Sequence, residues 1–240
     1  MDKKYFIKKL SLLFAIFISF DELSAQTKHQ QSGWFMMLNN TKFNDKWGLQ
    51  VDVQVRSFDN WSYVRNTLFR PGVTYSLNKN NNVALGYLLA TTFNRSEDAS
   101  INNLNEHRIW EQYIVTHKFK SVFASHRFRV EQRFIERNGD EDLFSQRFRY
   151  FVRLIQPLQK TQQAFSKGAF LALQNEVFLN LQNKDELNKS VFDQNRLYLA
   201  AGYRFSKKFD IEAGYMNQAI HGMQNNTINN ITQLALYTRF

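Results

Sequence analysis

Two stretches of the sequence decide the fold of this chain, His126–Arg133 (HRFRVEQR) and Gln146–Arg153 (QRFRYFVR). At almost every step a charged residue alternates with an aromatic or aliphatic one, so that Arg127, Arg129 and Glu131 share one face of the first stretch. A period of two residues is that of a β-strand with one apolar face and one charged face. The architecture therefore depends on what each of these faces contacts.

The composition favours a single all-β domain. The 240 residues include 23 Phe and 10 Tyr but only 2 Pro and 9 Gly, which is rich in strand formers. The absence of cysteine excludes disulfide bonds, thiolate metal sites, a cysteine nucleophile and an acylated lipoprotein cysteine. The formal net charge of +10 raises the question of nucleic acid or small anions as partners.

Residues 1–25 have the pattern of a secretory signal peptide. Four lysines within the first nine residues precede the apolar run Leu10–Phe20, and small residues end the candidate cleavage site Leu23–Ala25. The apolar run is too short for a comfortable transmembrane helix. We therefore expect an exported protein whose mature chain starts near Gln26.

The remaining chain reads as a series of strands. Ten segments from residue 46 onward show good alternation, and a weaker one lies at 33–42, so that 26–45 is either an N-terminal segment or a first strand and 46–240 is the barrel domain. The ten predicted strands are 46–58, 63–77, 83–93, 106–119, 125–137, 144–156, 168–181, 192–205, 209–220 and 228–240.

The connections between these strands alternate in length. Outer-membrane barrels have short periplasmic turns and longer external loops. If the C-terminus is periplasmic, counting strands backward places the start of the segment 33–42 on the external side, whereas a chain that enters from the periplasm should start on the periplasmic side. Either another spanning segment therefore lies in 26–45, or this region lies in the lumen. The short connections are 78–82, 120–124 and 206–208, and the longer ones are 94–104, 138–142, 182–191 and 221–226.

The arginines fix which face meets lipid. A soluble, lipocalin-like barrel would bury the apolar face, but a barrel of about ten strands has too little interior space for this many aromatic side chains. Each arginine facing lipid would cost about 2–4 kcal/mol, so misplacing Arg127, Arg129 and Arg133 would cost about 6–12 kcal/mol, comparable with the stability of a domain. The sequence thus predicts an antiparallel transmembrane outer-membrane β-barrel of about 10–12 strands with an arginine-rich lumen.

Several segments resemble a known family. The segments FRPGVTYSL, NEHRIWEQY, HRFRVEQRF, QRFRYFVRL, NRLYLAAGYRF and IEAGYMNQ are similar to the outer-membrane domain-of-unknown-function family two-four-nine-zero. The resemblance covers nearly all of the mature chain, and the pair of arginine strands is its most specific part. It implies an outer-membrane barrel in a Gram-negative bacterium and supplies no assigned activity.

The charged faces supply the candidate site. Arginine pairs bidentately with carboxylates, and buried charges must be paired, so we predict an ion-pair network that fills the lumen, with Asp52 and Glu106 as further partners. The alternative is an anion-selective porin for small acidic solutes or oligosaccharides, because arginines outnumber acids and rings of arginine select anions. The predicted network comprises Arg70, Arg108, Arg127, Arg129, Glu131, Arg133, Arg147, Arg149, Arg153, Glu176, Arg196, Arg204 and Glu212.

A lipid-modifying outer-membrane enzyme is the second alternative. Such an enzyme needs a serine or threonine nucleophile beside a histidine, for which His107, His117 and His126 are candidates. Ser125 adjoins His126, but neighbours in a strand face opposite ways. We therefore predict no catalytic residues, no metal and no cofactor. Nucleic acid is not expected either, because the basic residues point into a lumen.

The apolar face ends in aromatic residues. The terminal Phe240 resembles the recognition signal used by the barrel-assembly machinery, which we expect as a partner together with outer-membrane lipid. The oligomeric state stays open, and the loops 94–104 and 182–191 carry no recognisable motif for an external partner. The predicted interfacial girdle comprises Trp47, Tyr75, Tyr87, Tyr203, Tyr215 and Phe240.

Overall fold

The computed structural model describes residues 27–95, 101–139, 141–159 and 165–240; the predicted signal peptide lies outside these ranges. Within them, eleven strands close into one barrel, and two short 3₁₀ helices occupy Asp59–Trp61 and Lys184–Glu186. Across the same residues no helix is long and apolar enough to cross a membrane. The strands are β1 (Lys28–Lys42), β2 (Trp47–Ser57), β3 (Val64–Ser76), β4 (Asn81–Arg95), β5 (Ile101–Phe119), β6 (Val122–Ile135), β7 (Leu143–Pro157), β8 (Gly168–Gln182), β9 (Phe192–Ser206), β10 (Phe209–Ile220) and β11 (Thr227–Arg239).

The predicted all-β barrel is confirmed, and each of the ten strands expected from residue 46 onward coincides with one of β2 to β11. The prediction of a long loop at 94–104 is wrong, since β4 extends to Arg95 and β5 starts at Ile101. The backbone pairing of β4 with β5 continues from Thr91 opposite Asn105 to Arg95 opposite Ile101, and the hydroxyl of Thr91 donates to the side-chain oxygen of Asn105 at 2.9 Å. Polar composition alone therefore did not mark the end of the strands.

The barrel is not antiparallel throughout. Consecutive strands pair antiparallel, but β1 pairs with β11 in parallel, with Lys28 opposite Thr227 and Asn40 opposite Arg239. The cause is the odd number of strands described. Strand direction reverses at each tight connection, so the first and eleventh strands run the same way and can close the barrel only in parallel.

The strand β1 lies in the barrel wall, between β2 and β11. Residues 28–42 thus form a single first strand of the wall. They do not provide a second strand before β2, and the barrel does not enclose them. Trp34 is buried while Phe35 and Met37 are exposed, so burial alternates from Trp34 to Met37 although polarity does not. Apolar residues on both faces explain the weak alternation in the sequence.

The connections define two ends of the barrel. The turn end, where β11 finishes, carries the connections 43–46, 77–80, 120–121 and 207–208, together with the longer 158–167. The loop end, where β1 starts, carries 58–63, 183–191 and 221–226, and β4 and β6 also end there. The short connections predicted at 78–82, 120–124 and 206–208 lie at the turn end, and the longer ones predicted at 182–191 and 221–226 lie at the loop end, whereas the long loop predicted at 94–104 is not found.

Large buried aromatic side chains are accommodated by glycines on neighbouring strands. Trp110 on β5 is buried, and a Cβ atom added at Gly86 on β4 would lie 2.2 Å from its indole ring. An added Cβ at Gly72 on β3 would lie 2.4 Å from the same ring. The two glycines leave the space in which Trp110 packs. The ring of Trp110 in turn contacts Arg129, one of the arginines of the candidate site.

Candidate functional site

The centre of the candidate site is the carboxylate of Glu131 on β6. Arg147 on β7 lies opposite Glu131 in the ladder and donates to its Oε2 from Nε at 3.1 Å and from Nη2 at 2.7 Å. Arg149 donates from Nη1 to Oε1 at 2.5 Å, and nitrogens of Arg108 and Arg129 lie 3.5 and 3.8 Å away. Glu131 has 0% of its surface exposed, so four guanidinium groups surround a fully desolvated carboxylate.

Two further carboxylates extend this arrangement along the barrel wall. Glu176 on β8 accepts from Arg149 at 2.8 Å and from Arg127 at 2.7 Å. Glu106 on β5 accepts from Arg108 at 2.7 Å and from Arg133 at 2.5 Å. Because Arg149 contacts both Glu131 and Glu176, and Arg108 lies near both Glu131 and Glu106, the contacts join β5, β6, β7 and β8. We call these three carboxylates and their arginine partners the buried cluster.

The other predicted site residues form separate ion pairs. Arg70 donates to Asp52 at 2.5 Å. Nearer the turn end, Arg153 donates to Glu212 at 2.5 Å, and Arg204 donates to Asp210 at 2.8 Å. Arg196 makes no ion pair with any described carboxylate; it donates to Gln194 at 3.2 Å. The predicted set therefore comprises several groups of contacts rather than one continuous network.

Sequence reasoning missed several charged partners. Asp210 shares a face with Glu212 in β10, and Arg56 shares a face with Asp52 in β2, so period-two alternation could have found both. Asp193 pairs with Arg147 at 2.9 Å. It reaches this arginine beside a shift in the β8–β9 register between Phe178 and Leu179, and no sequence signal marks that shift.

Aromatic rings support the arginines. The guanidinium of Arg129 lies 4.6 Å from the ring centre of Trp110. The guanidinium groups of Arg56 and Arg196 lie 3.8 and 5.0 Å from the ring of Trp34. Cation–π contacts of this kind orient a guanidinium without neutralising its charge.

Two cavities adjoin the charged residues. The turn-side cavity has a volume of about 260 Å³ and is lined by residues including Asp52, Arg153 and Tyr237. The loop-side cavity has a volume of about 250 Å³ and is lined by residues including Arg133 and Asp193. Both cavities share the side chains of Arg56, Arg70, Arg149 and Arg196.

A buried aromatic residue lies at the turn end. Phe165, in the connection after β7, is buried against Phe123 and Phe170, with ring centres 6.5 and 5.8 Å apart. Its carbonyl oxygen accepts a hydrogen bond from Arg204 at 2.7 Å. Phe165 therefore lies against the buried faces of the strands, whereas the other described residues of this connection are exposed.

Each of the candidate histidines contacts another aromatic side chain. His107 hydrogen-bonds the hydroxyl of Tyr87, and His126 hydrogen-bonds that of Tyr150 at 2.8 Å. The ring of His117 stacks on His126 with centres 5.2 Å apart. Among the described residues, no group of three or more histidine, aspartate and glutamate side chains is placed to hold a metal ion.

The predicted girdle residues are exposed or partly exposed. Trp47 and Tyr75 pack edge to face with ring centres 4.8 Å apart, near the turn end. Phe240 has an exposed ring, and its backbone pairs with β1: its N–H donates to Asn40 at 2.9 Å, and its carbonyl accepts from Lys42 at 2.7 Å. The terminal residue thus completes the parallel closure of the barrel.

Comparison with known proteins gives a family match. A family model described as "Protein of unknown function (DUF2490)" matches residues 31–229, which confirms the resemblance found in the sequence. Searches of curated proteins and of solved structures found no match.

Replacing Glu131 tests whether the arginines depend on it. Glu131→Gln removes the carboxylate that four buried guanidinium groups share; Arg108, Arg147 and Arg149 keep a second carboxylate, but Arg129 keeps none within 4.0 Å among the described residues. Removing one side of a buried ion pair typically costs about 3–5 kcal/mol. We expect the variant to unfold at a clearly lower denaturant concentration than the wild type, measured on barrels folded in detergent.

A matched control is Glu186→Gln, which removes the same charge. Glu186 pairs with Arg137 at 3.2 Å and has 59% of its side chain exposed, so its loss should cost less than about 1 kcal/mol. Equal midpoints for the two variants would show that solvent and mobile anions, rather than Glu131, balance the arginines.

Proposed function

We propose that this chain, which belongs to the family of proteins of unknown function DUF2490, is an integral outer-membrane β-barrel whose lumen is filled by an arginine–carboxylate network. The observation that carries this proposal is the pattern of burial. Glu131 and Arg129 are buried, whereas Leu199 on β9 is 61% exposed. Water-soluble proteins rarely expose contiguous apolar surfaces of this kind, and lipid is the solvent that such a surface fits.

The height of the exposed apolar band supports a location in a bilayer. On β9, Leu197, Leu199 and Tyr203 are exposed between Asn195 at one side and Phe205 at the other. Ten residues separate Asn195 from Phe205 (205 − 195), about 33 Å of strand at about 3.3 Å per residue. With strands tilted by about 40°, this corresponds to a band about 25 Å tall, the value typical of outer-membrane barrels.

The filled lumen favours a closed barrel over an open porin. The two cavities of about 260 and 250 Å³ are small, and arginine side chains held by carboxylates line both of them. Phe165 packs at the turn end against Phe123 and Phe170. A closed barrel of this design would serve as a structural or binding element of the membrane. That the protein is not an enzyme stays a prediction.

A pair of leucines with equal exposure tests the membrane location. Leu199 lies in the middle of the proposed lipid face and Leu158 lies at the turn end, and both are 61% exposed. Leu199→Arg should cost about 2–4 kcal/mol near the midplane, whereas Leu158→Arg should cost about 0–1 kcal/mol near the interface. The free energy of unfolding in lipid vesicles measures the difference, and membrane yield after carbonate washing provides an independent check.

In a water-soluble barrel the two leucine changes would be equally harmless, and the wild type would wash from membranes with carbonate. Either result would contradict the membrane proposal.

Recording from a planar bilayer tests the closed lumen. We expect the purified wild-type protein to insert without steady conductance, because ion-paired arginines occupy the space that ions would cross. A reproducible anion-selective current, reduced by Arg149→Gln, would instead support the porin alternative.

A further inference from the structure

The loop-side cavity has more arginines than neighbouring carboxylates balance. Seven arginines line it, and Asp193 is the one carboxylate among its lining residues. Five of the seven lie within 4.0 Å of a carboxylate. Arg56 and Arg196 have no carboxylate within 4.0 Å in the described ranges, although Glu176 lies opposite Arg196 in the β8–β9 ladder, so positive charge remains in excess beside this cavity.

Neutral partners hold these two arginines in place. The guanidinium groups of Arg56 and Arg196 lie 3.8 and 5.0 Å from the ring of Trp34. Arg56 donates to the side-chain oxygen of Gln54 at 2.5 Å, and Arg196 donates to that of Gln194 at 3.2 Å. An aromatic ring and amide oxygens orient a guanidinium but leave its charge uncompensated.

Hydrogen-bond donors also remain unused at the cavity. The Nε atoms of Arg70 and Arg196 are buried and make no hydrogen bond within the described part of the chain. The side chain of Arg70 is only 5% exposed, and it lines both cavities. Buried donors in folded proteins almost always have an acceptor, so around these two arginines the donors outnumber the acceptors that the described residues supply, which favours an anion in the adjoining cavity.

We propose that the loop-side cavity binds a small soluble anion carrying two or more phosphate or carboxylate groups, held by Arg56, Arg70 and Arg196. Arginine forks match the oxygens of both groups. The volume of about 250 Å³ admits a small anion but not an oligosaccharide. The anion would enter from the loop end, where the side chains of Arg133 and Asp193 are 11% and 17% exposed. This proposal rests on the filled lumen described above and is independent of the membrane location.

Calorimetric titration of the full-length protein, folded in detergent, tests the site. The probes are sodium pyrophosphate and sodium citrate, with sodium chloride at matched ionic strength as the reference. We expect saturable binding of one of the two multivalent anions and none of chloride. The double variant Arg56→Gln/Arg196→Gln should bind at least tenfold more weakly.

A charge-matched control is Arg137→Gln/Lys189→Gln, which removes two charges at the loop end outside the cavity. Its affinity should stay within twofold of the wild type. If the double variant does not fold, each single change is measured instead, and a weakening of at least threefold is expected.

Three outcomes would overturn the anion site: no saturable heat with either anion, equal affinity in the double variant and the wild type, or equal weakening in the control. Heat obtained only with a short-chain phosphatidic acid would identify a lipid headgroup and would also overturn the proposal. None of these outcomes bears on the proposed closed lumen, which the absence of conductance tests separately.

Discussion

The contact between the carboxylate of Glu131 and its surrounding arginines is the interaction on which the rest of the structure depends. A buried charge costs several kcal/mol per ion unless partners compensate it, and Glu131 is completely buried between Arg147 and Arg149. This requirement also fixes the register of β6 and β7, because a slip by one residue would move every charged side chain to the opposite face. The exposed apolar surface follows from the same alternation.

Much of this arrangement could be predicted from the sequence, because strand periodicity carries the information. The alternation around Arg129 and Arg149 indicates two strands that each have one charged face and one apolar face. The same rule locates Asp210 beside Glu212 and Arg56 beside Asp52. Both strand identity and the choice of face are local properties, which a period of two residues reports directly.

Other features depend on contacts between distant segments. The closure of β1 against β11 was hidden because Trp34 and Met36 are apolar on a face where other strands place charges. The pairing of Arg147 with Asp193 occurs beside a register shift that no residue type announces. The contact between Arg196 and the ring of Trp34 joins β9 to β1, which lie far apart in the chain. None of these features follows from the periodicity of a single strand.

The most direct measurement of the central interaction is a double-mutant cycle with Glu131→Gln and Arg147→Gln. Residues coupled in one buried network show interaction free energies of about 0.5–3 kcal/mol, whereas independent sites add within about 0.5 kcal/mol. The free energies of unfolding of the wild type, both single variants and the double variant are compared in one detergent. If Glu131 organises the arginines, the double variant should be more stable than the sum of the single effects predicts, by at least about 1 kcal/mol. Additive effects would show that Glu131 and Arg147 are independent, and would contradict the role assigned to this carboxylate.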